Sequence, residues 1–390
     1  MTIKPITSYK GFDRQLRCRG HQFEVGKTYT HTGPVEICKS GFHACQYPLA
    51  VFGYYPPLSS RYAVVTQMGD LAQRVDDSKI ASSIIAITAE LTLQELIQAA
   101  VEHTFSRAKK VKSTSSATNG DRANSATDGA DANSATNGAD AHSATNGARA
   151  HSATNGVYSN SATNGDDAHS ATNGARAHSA TNGVYSNSAT NGADAHSATN
   201  GYGAHSATNG VYSNSATNGD DAHSATNGND ANSATNGECA HSATNGARAN
   251  SATNGERAHS ATNGNDANSA TNGECANSAT NGARAHSATN GERAHSATNG
   301  ECAHSATNGA RANSATTGAR ANSEAKGAHS VAASLGNGAA CAAETGAIFL
   351  VERNALYEIV AVFASKIGEH GIKAHTWYVL RDGKPVEVTP

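Results

Sequence analysis

The chain has 390 residues, of which 5% are aromatic and 16% charged, and Gly, Ala, Ser, Thr and Asn crowd its middle. Burying bulky apolar side chains is what ordinarily offsets lost chain entropy, so a conventional core is excluded from most of this sequence. A formal net charge of −3 lacks the basic footprint of a nucleic-acid binder, and no run of about 18 apolar residues could cross a membrane. The N-terminus lacks the apolar core of a signal peptide, and seven scattered cysteines, an odd number, fit reduced thiols. The expectation is a soluble protein kept in the cytoplasm, with no cofactor.

Residues 1–112 read as a compact α+β domain or cap, with a mild basic excess that fits a solvated surface. Ile80–Ile87 forms an apolar strand, and it is expected to start the stack that follows. Thr92-Leu93-Gln94-Glu95 is a capping box opening a helix through about Phe105, with Leu93, Leu96, Ile97, Ala100 and Val101 at helical spacing. Cys18, Cys38, His43 and Cys45 are the weak candidates for a zinc site. No Cys-x-x-Cys pair is present, so no metal is assigned. The Gly-Phe-His turn with Tyr54-Tyr55 is only faintly similar to the scattered His and Tyr of ADP-ribosyltransferase folds. A buried His and core tyrosines are preferred.

Residues 113–330 carry a nine-residue unit, Ser-Ala-Thr-Asn-Gly-x-x-Ala-x, in 24 copies from Ser116 to Ser323. A flexible Gly/Ser linker would have no reason to hold Ala, Ser and Asn in phase, so the period indicates a repeat architecture. In Arg149-Ala150-His151-Ser152 small residues alternate with polar ones, as in a strand with one tightly packed face. Asn146-Gly147 and Asn155-Gly156 supply the corners. Each unit is then one short strand and one corner, and two or three units make a coil.

Charge chooses between two and three. Like charges directly opposite destabilise a ladder. At the seventh position, Arg122, Arg149, Arg176, Arg248 and Arg284 fall two units from Asp140, Asp131 and Asp167, Asp194, Asp230 and Asp266, and Asp266 in turn, against one like pair, Arg293 with Arg311. Across three units like pairs predominate instead, as for Asp140 with Asp167. Two units per coil are favoured, although Val-Tyr pairs recur every third unit (Tyr158, Tyr185, Tyr212). The array is therefore expected to be a two-sided parallel β-solenoid of about 11 to 12 coils with an Ala and Ser core, roughly 55 Å long at ~4.8 Å per strand. Asn ladders are expected at its corners. Asp220, Glu238, Glu256, Glu274 and Glu292 oppose this arrangement, since they would stack as an acidic column that is costly unless solvated or neutralised, and Arg257 and Arg293 lie beside two of its members.

A calcium-binding β-roll is disfavoured because one Gly per unit is fixed and the Asp positions vary. An adhesin-like head would bring a secretion signal and coiled-coil stalk, and an ice-binding face would rest on a lone Thr column. Twelve histidines precede the repeat Ser, where Asn is the alternative, so a stacked polar ladder is preferred to metal ligation. Cys239, Cys275 and Cys302 at the seventh position read as exposed thiols too far apart to bridge.

Residues 331–390 read as a small β-rich cap, needed because a solenoid end exposes unpaired strand edges. Strands are expected at Ala347–Val351, Tyr357–Phe363, Thr376–Leu380 and Val386–Val388, the last pair joined by a turn at Arg381-Asp382-Gly383-Lys384. Trp377 is expected to anchor the core.

Tyr9-Lys10-Gly11-Phe12-Asp13, Cys18-Arg19-Gly20, Val25-Gly26-Lys27-Thr28-Tyr29, Cys38 through Cys45 with Gly41-Phe42-His43-Ala44-Cys45, and Tyr54-Tyr55-Pro56-Pro57 together resemble a domain of unknown function in phage and bacterial proteins. There it is followed by similar Ser-Ala-Ala-Thr-Asn repeats and a short C-terminal domain near a Thr-Trp-Tyr. The resemblance implies a phage or prophage origin and brings no established activity. The expected role is that of a non-enzymatic capped rod, serving as spacer, scaffold or repetitive interaction surface toward an unknown macromolecular or surface partner. A virion setting and a homo-oligomer stay open, and the alternative is an enzyme or metal-binding head on a solenoid stalk.

Overall fold

The structure, a computed structural model, describes residues 5–57, 60–73, 78–107, 115–343 and 345–389. It is mainly β, with 53% strand, 6% helix and a parallel β-solenoid of about 13 turns of about 18 residues. The chain divides into two units, Met1–Asn209 with Ser213–Ala216, and Gly210–Tyr212 with Thr217–Pro390.

The first unit opens with β1 (Ile6–Phe12), β2 (Arg17–Cys18), β3 (His21–Gln22), β4 (Thr28–Thr30), β5 (Phe42–Cys45), β6 (Arg61–Gln73) and β7 (Lys79–Leu91). Strands β4, β7, β5, β1 and β6 form one antiparallel sheet, and a further β6–β7 pairing closes it on itself. Phe12, Phe23, Ala44, Ala63, Val65, Ile85 and Ile87 fill its interior. Ile80–Ile87 is thus part of this closed sheet and does not start the solenoid stack. Its buried isoleucines are used up inside the domain, and the first described solenoid strand is Ser115–Asn119.

Helix α1 (Leu93–Arg107) begins with the expected capping box. The Thr92 N–H donates to Glu95 Oε2 at 2.7 Å and the Glu95 N–H to Thr92 Oγ1 at 3.2 Å. Its apolar stripe, Leu96, Ile97, Ala100 and Val101, packs with Tyr47, Leu49, Val51 and Phe52 onto Ala162, Ala180 and Ala198 of the solenoid. The domain therefore covers the outward face of one solenoid sheet, a side contact that an end cap would not make.

In both units the repeat forms strands at the ninth through fourth positions, such as His151–Asn155, and corners at Gly-x-x-Ala. Ser134 lies beside Ser152, and Ser152 beside Ser170, so parallel register joins every second repeat. Alternate repeats build opposite sheets. Ala150, Ser152 and Thr154 point inward, whereas His151, Ala153 and Asn155 point outward. The core thus contains Thr beside the expected Ala and Ser. Thr154 Oγ1 donates to the Asn160 carbonyl at 3.0 Å, which removes the Thr column from any outward ice-binding face.

The two sheets approach so closely that serines from opposite sides bond one another. Ser170 Oγ donates to Ser161 Oγ at 2.9 Å and Ser179 Oγ to Ser170 Oγ at 3.0 Å, and in the second unit the same zigzag runs from Ser224 to Ser323 with few interruptions. The repeat Gly is fixed by backbone contact between coils. A Cβ built on Gly156 would sit 2.1 Å from the Gly138 carbonyl oxygen.

The coil outlasts the perfect repeat. Val331–Ser334, Ala340–Ala342 and Ala347–Arg353 continue the parallel stack with Ala332, Ala340 and Ile348 replacing inward Ser. Antiparallel strands then end the two sheets, Ile359–Lys366 in one and Trp377–Arg381 followed by Lys384–Val388 in the other. The turn at Asp382-Gly383 joins Arg381 to Lys384 as expected, both turn residues having positive φ. Ile348, Leu350, Ile372, Tyr378 and Leu380 form this core. Trp377 is only half-buried, because strand alternation gives the inward positions to Tyr378 and Leu380, so it is not the anchor.

Gly156→Ala is expected to lower unfolding stability by at least about 2 kcal/mol, since the carbonyl it meets belongs to the stack itself. Ala153→Ser, on the open face, should change it little. Urea denaturation compares the two.

A second expectation concerns acid. His142 stacks on Tyr47 at 4.0 Å, His103 meets the edge of Tyr47 at 5.3 Å, and His178 stacks on His196 at 5.1 Å while touching Phe52. Burial holds His142 at about 3 and His103 and His196 at about 4, and pushes His178 well down; Arg107 adds to the shift of His103 and His142. These imidazoles are neutral in the folded state, while unfolded ones protonate near 6.5. Their contribution is complete above about pH 6.5 and is lost as pH falls from there toward 3. The melting temperature should fall over that window, and His142→Asn with His178→Asn should flatten the fall, Asn being what the ladder carries at Asn160 and Asn214.

Candidate functional site

Within the N-terminal domain the short motifs converge on Lys10. Strand alternation turns Lys10 inward with Ser8 and Phe12, and it is 5% exposed. Its Nζ donates to the His43 carbonyl at 2.8 Å and lies 3.5 Å from Cys18 Sγ, between the faces of Phe12 and Phe23 at 5.6 and 5.5 Å. Burial lowers the Lys10 pKa, opposed by the neighbouring Cys18 thiol. Burial and the neighbouring Cys18 thiol raise the Tyr55 phenol. Gly11 is required here, because a Cβ would meet the Tyr55 side chain at 2.5 Å.

The four weak zinc candidates have other partners. Cys18 faces the Lys10 ammonium, and His43 Nε2 accepts the Cys38 N–H at 2.9 Å. Cys45 is buried beside Tyr47 and Leu49, and Cys38 is exposed with φ 65°. Burial and the cations of Lys10 and Lys79 lower His43. Among the described residues no three His, Cys, Asp or Glu side chains gather as a metal site would need.

The repeat positions are arranged in columns. Asn155 Nδ2 donates to Asn137 Oδ1 at 3.3 Å, and Asn164 to Asn146 at 3.1 Å, which forms amide ladders along both sheets. The ninth-position column is a stack of imidazoles and amides: His151 on His169 at 4.9 Å, His223 on His241 and His241 on His259 at 4.8 Å, and Asn160 Nδ2 against His142 Nδ1 at 3.2 Å. Asn and His interchange because each satisfies the copy below it. Gly147 and Gly156 place their neighbours' carbonyls at the corner, while Ala150 and Ser152 are buried.

The corner charges pair as the two-unit coil requires. Arg149 grips Asp131 at 2.8 and 3.0 Å, Arg284 grips Asp266 at 2.8 and 2.8 Å, and Arg248 reaches Asp230 at 2.7 Å. The acidic column is met by arginines at the neighbouring seventh position. Arg257 contacts Glu238 and lies 3.7 Å from Glu256, Arg293 lies 3.7 Å from both Glu274 and Glu292, and Arg311 lies 3.4 Å from Glu292. Asp220 Oδ1 accepts the Glu238 N–H at 3.0 Å. The column that gave a calcium roll its support is therefore partnered by guanidinium groups. Cys239, Cys275 and Cys302 sit among these arginines as free, half-buried thiols, less exposed than expected.

Replacing Arg257, Arg293 and Arg311 by Ala should leave the glutamates facing one another. Exposed pairs are individually weak and screened by salt, so the triple variant should lose stability at low salt and much less at about 1 M salt. Equal losses at both salt concentrations in chemical denaturation would exclude charge neutralisation as their role.

No curated protein and no solved structure matches this chain. Residues 6–99, which span the closed sheet and the first half of α1, match the family model described as a domain of unknown function, DUF7666, and that domain precedes a repeat-rich β-solenoid.

Proposed function

We propose that the protein is a non-enzymatic structural scaffold, a solenoid that presents its N-terminal domain and a repetitive outer face to a macromolecular or surface partner. The observation carrying this reading is the use of the repeat's polar groups on their own copies. One coil away, Asn meets Asn, His meets His or Asn, and Arg meets Asp or Glu. A catalytic site would instead leave a few convergent polar groups open to a ligand. The resemblance to phage and bacterial proteins with such repeats supports a setting on a virion or at a host surface.

The convergence of motif residues on Lys10 favours a second reading, in which the N-terminal domain is an active or binding head and the solenoid its support. A buried lysine of lowered pKa beside a thiol is the kind of perturbed group found at functional sites.

A scaffold tolerates loss of whole coils. Deleting residues 223–240 joins Ala222 to His241 and keeps every column in register, so the full-length deletion variant should keep a β-rich far-UV spectrum and cooperative unfolding, as nearest-neighbour stacks do. A random-coil spectrum of the native chain, or loss of cooperativity after this deletion, overturns the scaffold reading.

A further inference from the structure

We infer that Lys10 and Cys18 form a modification site, at which a hydroperoxide oxidises the Cys18 sulfur and the Lys10 amine captures it as a sulfenamide cross-link. The two atoms that would bond are already neighbours. Lys10 Nζ lies 3.5 Å from Cys18 Sγ, and its hydrogen bond of 2.8 Å to the His43 carbonyl holds the amine in place. Lys10 stands opposite Ala63 in an interior lined by Phe12, Phe23 and Val65. An apolar side chain would fill that place without the cost of burying a charge. Among the described residues the ionisable neighbours of Lys10 are Cys18, Cys45 and Arg19, with no carboxylate to offset that cost. Burial favours the neutral amine instead, which is the nucleophilic form.

Cys18 is half-buried, so a small oxidant has access to its sulfur. It ends β2 and faces His21 across a two-residue turn, Arg19-Gly20, with φ 49° and 79°. This hairpin shares no ladder with the five-stranded sheet, and a bond from Cys18 to Lys10 fastens it to β1 of that sheet. The repeat cysteines are placed differently. Cys239 and Cys302 have Arg257 and Arg320 beside them, and a guanidinium stays protonated and does not attack sulfur. Burial pushes the Cys341 thiol up to about 11, away from the reactive thiolate.

The reaction has two steps. The Cys18 thiolate attacks one oxygen of the peroxide, the O–O bond breaks, and sulfur gives up an electron pair to become a sulfenic acid while the other oxygen leaves as hydroxide and takes up the thiol proton as water. The neutral Lys10 nitrogen then attacks that sulfur. The S–O bond breaks, and the departing hydroxyl leaves as water with a proton from the amine, which closes the S–N bond. In sum, one thiol, one amine and one hydrogen peroxide give one sulfenamide and two waters.

Full-length protein, first reduced and then treated with hydrogen peroxide, can be digested with trypsin in the absence of reductant and mapped by mass spectrometry. The expected product holds Lys10 and Cys18 in one linked species that lacks two hydrogens, resists cleavage after Lys10 and returns to free peptides with dithiothreitol. Cys18→Ala should abolish it and restore cleavage after Lys10. Lys10→Arg, which keeps the charge without the nucleophile, should let Cys18 accumulate as a sulfenic acid trapped by dimedone. A native chain that leaves Lys10 free while Cys18 becomes a sulfinic acid or a disulfide with Cys45 overturns the inference. So does a Cys18 that stays a thiol under peroxide that oxidises the repeat cysteines.

Discussion

Each residue of the repeat must tolerate, and where possible bond, its own equivalent one coil away. In-register parallel strands place identical side chains about 4.8 Å apart, so the stack admits only residues that are compatible with themselves. Gly satisfies this at the corner because the next carbonyl occupies the place of a Cβ. Asn satisfies it with an amide that donates to one neighbour and accepts from the other, and His satisfies it by ring stacking. A charge does not satisfy it. Apart from Asp128, the charged residues between Ser116 and Ser323 are accordingly confined to the sixth and seventh positions at the corners. There Arg and Asp or Glu alternate along a column or meet across neighbouring columns.

The same constraint accounts for a polar interior. Ala and Ser bury little apolar area, but they let the sheets approach until Ser Oγ atoms of opposite sheets bond, and Thr adds a methyl while giving its hydroxyl to the carbonyl of the next strand's first residue. A buried hydroxyl that exchanges water for a partner avoids the penalty of burial. Most of the inward Ser and Thr meet that condition, and of the exceptions all but Thr307, among them Ser134, Ser143 and Ser152, lie in the first coils of the array. Elsewhere cohesion is spread evenly along the stack. The buried bulky apolar residues lie where the repetition stops, in the N-terminal domain and the C-terminal hairpins.

Coil size, the Asn ladder, the His and Asn column, the Thr92 cap and the Asp382-Gly383 turn were legible because each is a local pattern or a fixed spacing. The inward Thr154 is the same alternation carried two positions beyond Ser152, and stopping at Ser placed Thr in the wrong layer. Docking of α1 was not legible at all. Ala171 and Ala180 sit in identical His-Ser-Ala-Thr-Asn strands, yet Ala180 is fully buried under the helix and Ala171 is exposed. No sequence window distinguishes them, since the difference lies in which sheet the helix covers. The acidic column was half legible: Arg257 and Arg293 stand beside Glu256 and Glu292 in the sequence, whereas the reach of Arg257 to Glu238 and of Arg311 to Glu292 crosses to the neighbouring column of another coil.

The corners are also where this chain has freedom. Four positions of the repeat, Ser, Thr, Gly and the corner Ala, face the interior or the next coil's backbone, and two more, Asn and the ninth residue, are held by ladders. The second-position Ala is a constant small residue on the outward face. That leaves the sixth and seventh positions to vary among Asp, Glu, Arg, Asn, Ala, Val, Tyr, Gly and Cys. The seventh adopts a left-handed conformation in the repeats, as at Arg149 (φ 54°), Tyr185 (φ 55°) and Cys275 (φ 56°), a cost for non-glycine residues that the rest of the stack must offset. Guanidinium, phenol and thiol side chains tolerate that cost alike, so the backbone at this corner is set by the coil and not by the side chain it carries. A surface whose scaffold is indifferent to its exposed residues can change those residues without refolding, which is the property a repetitive interaction surface needs.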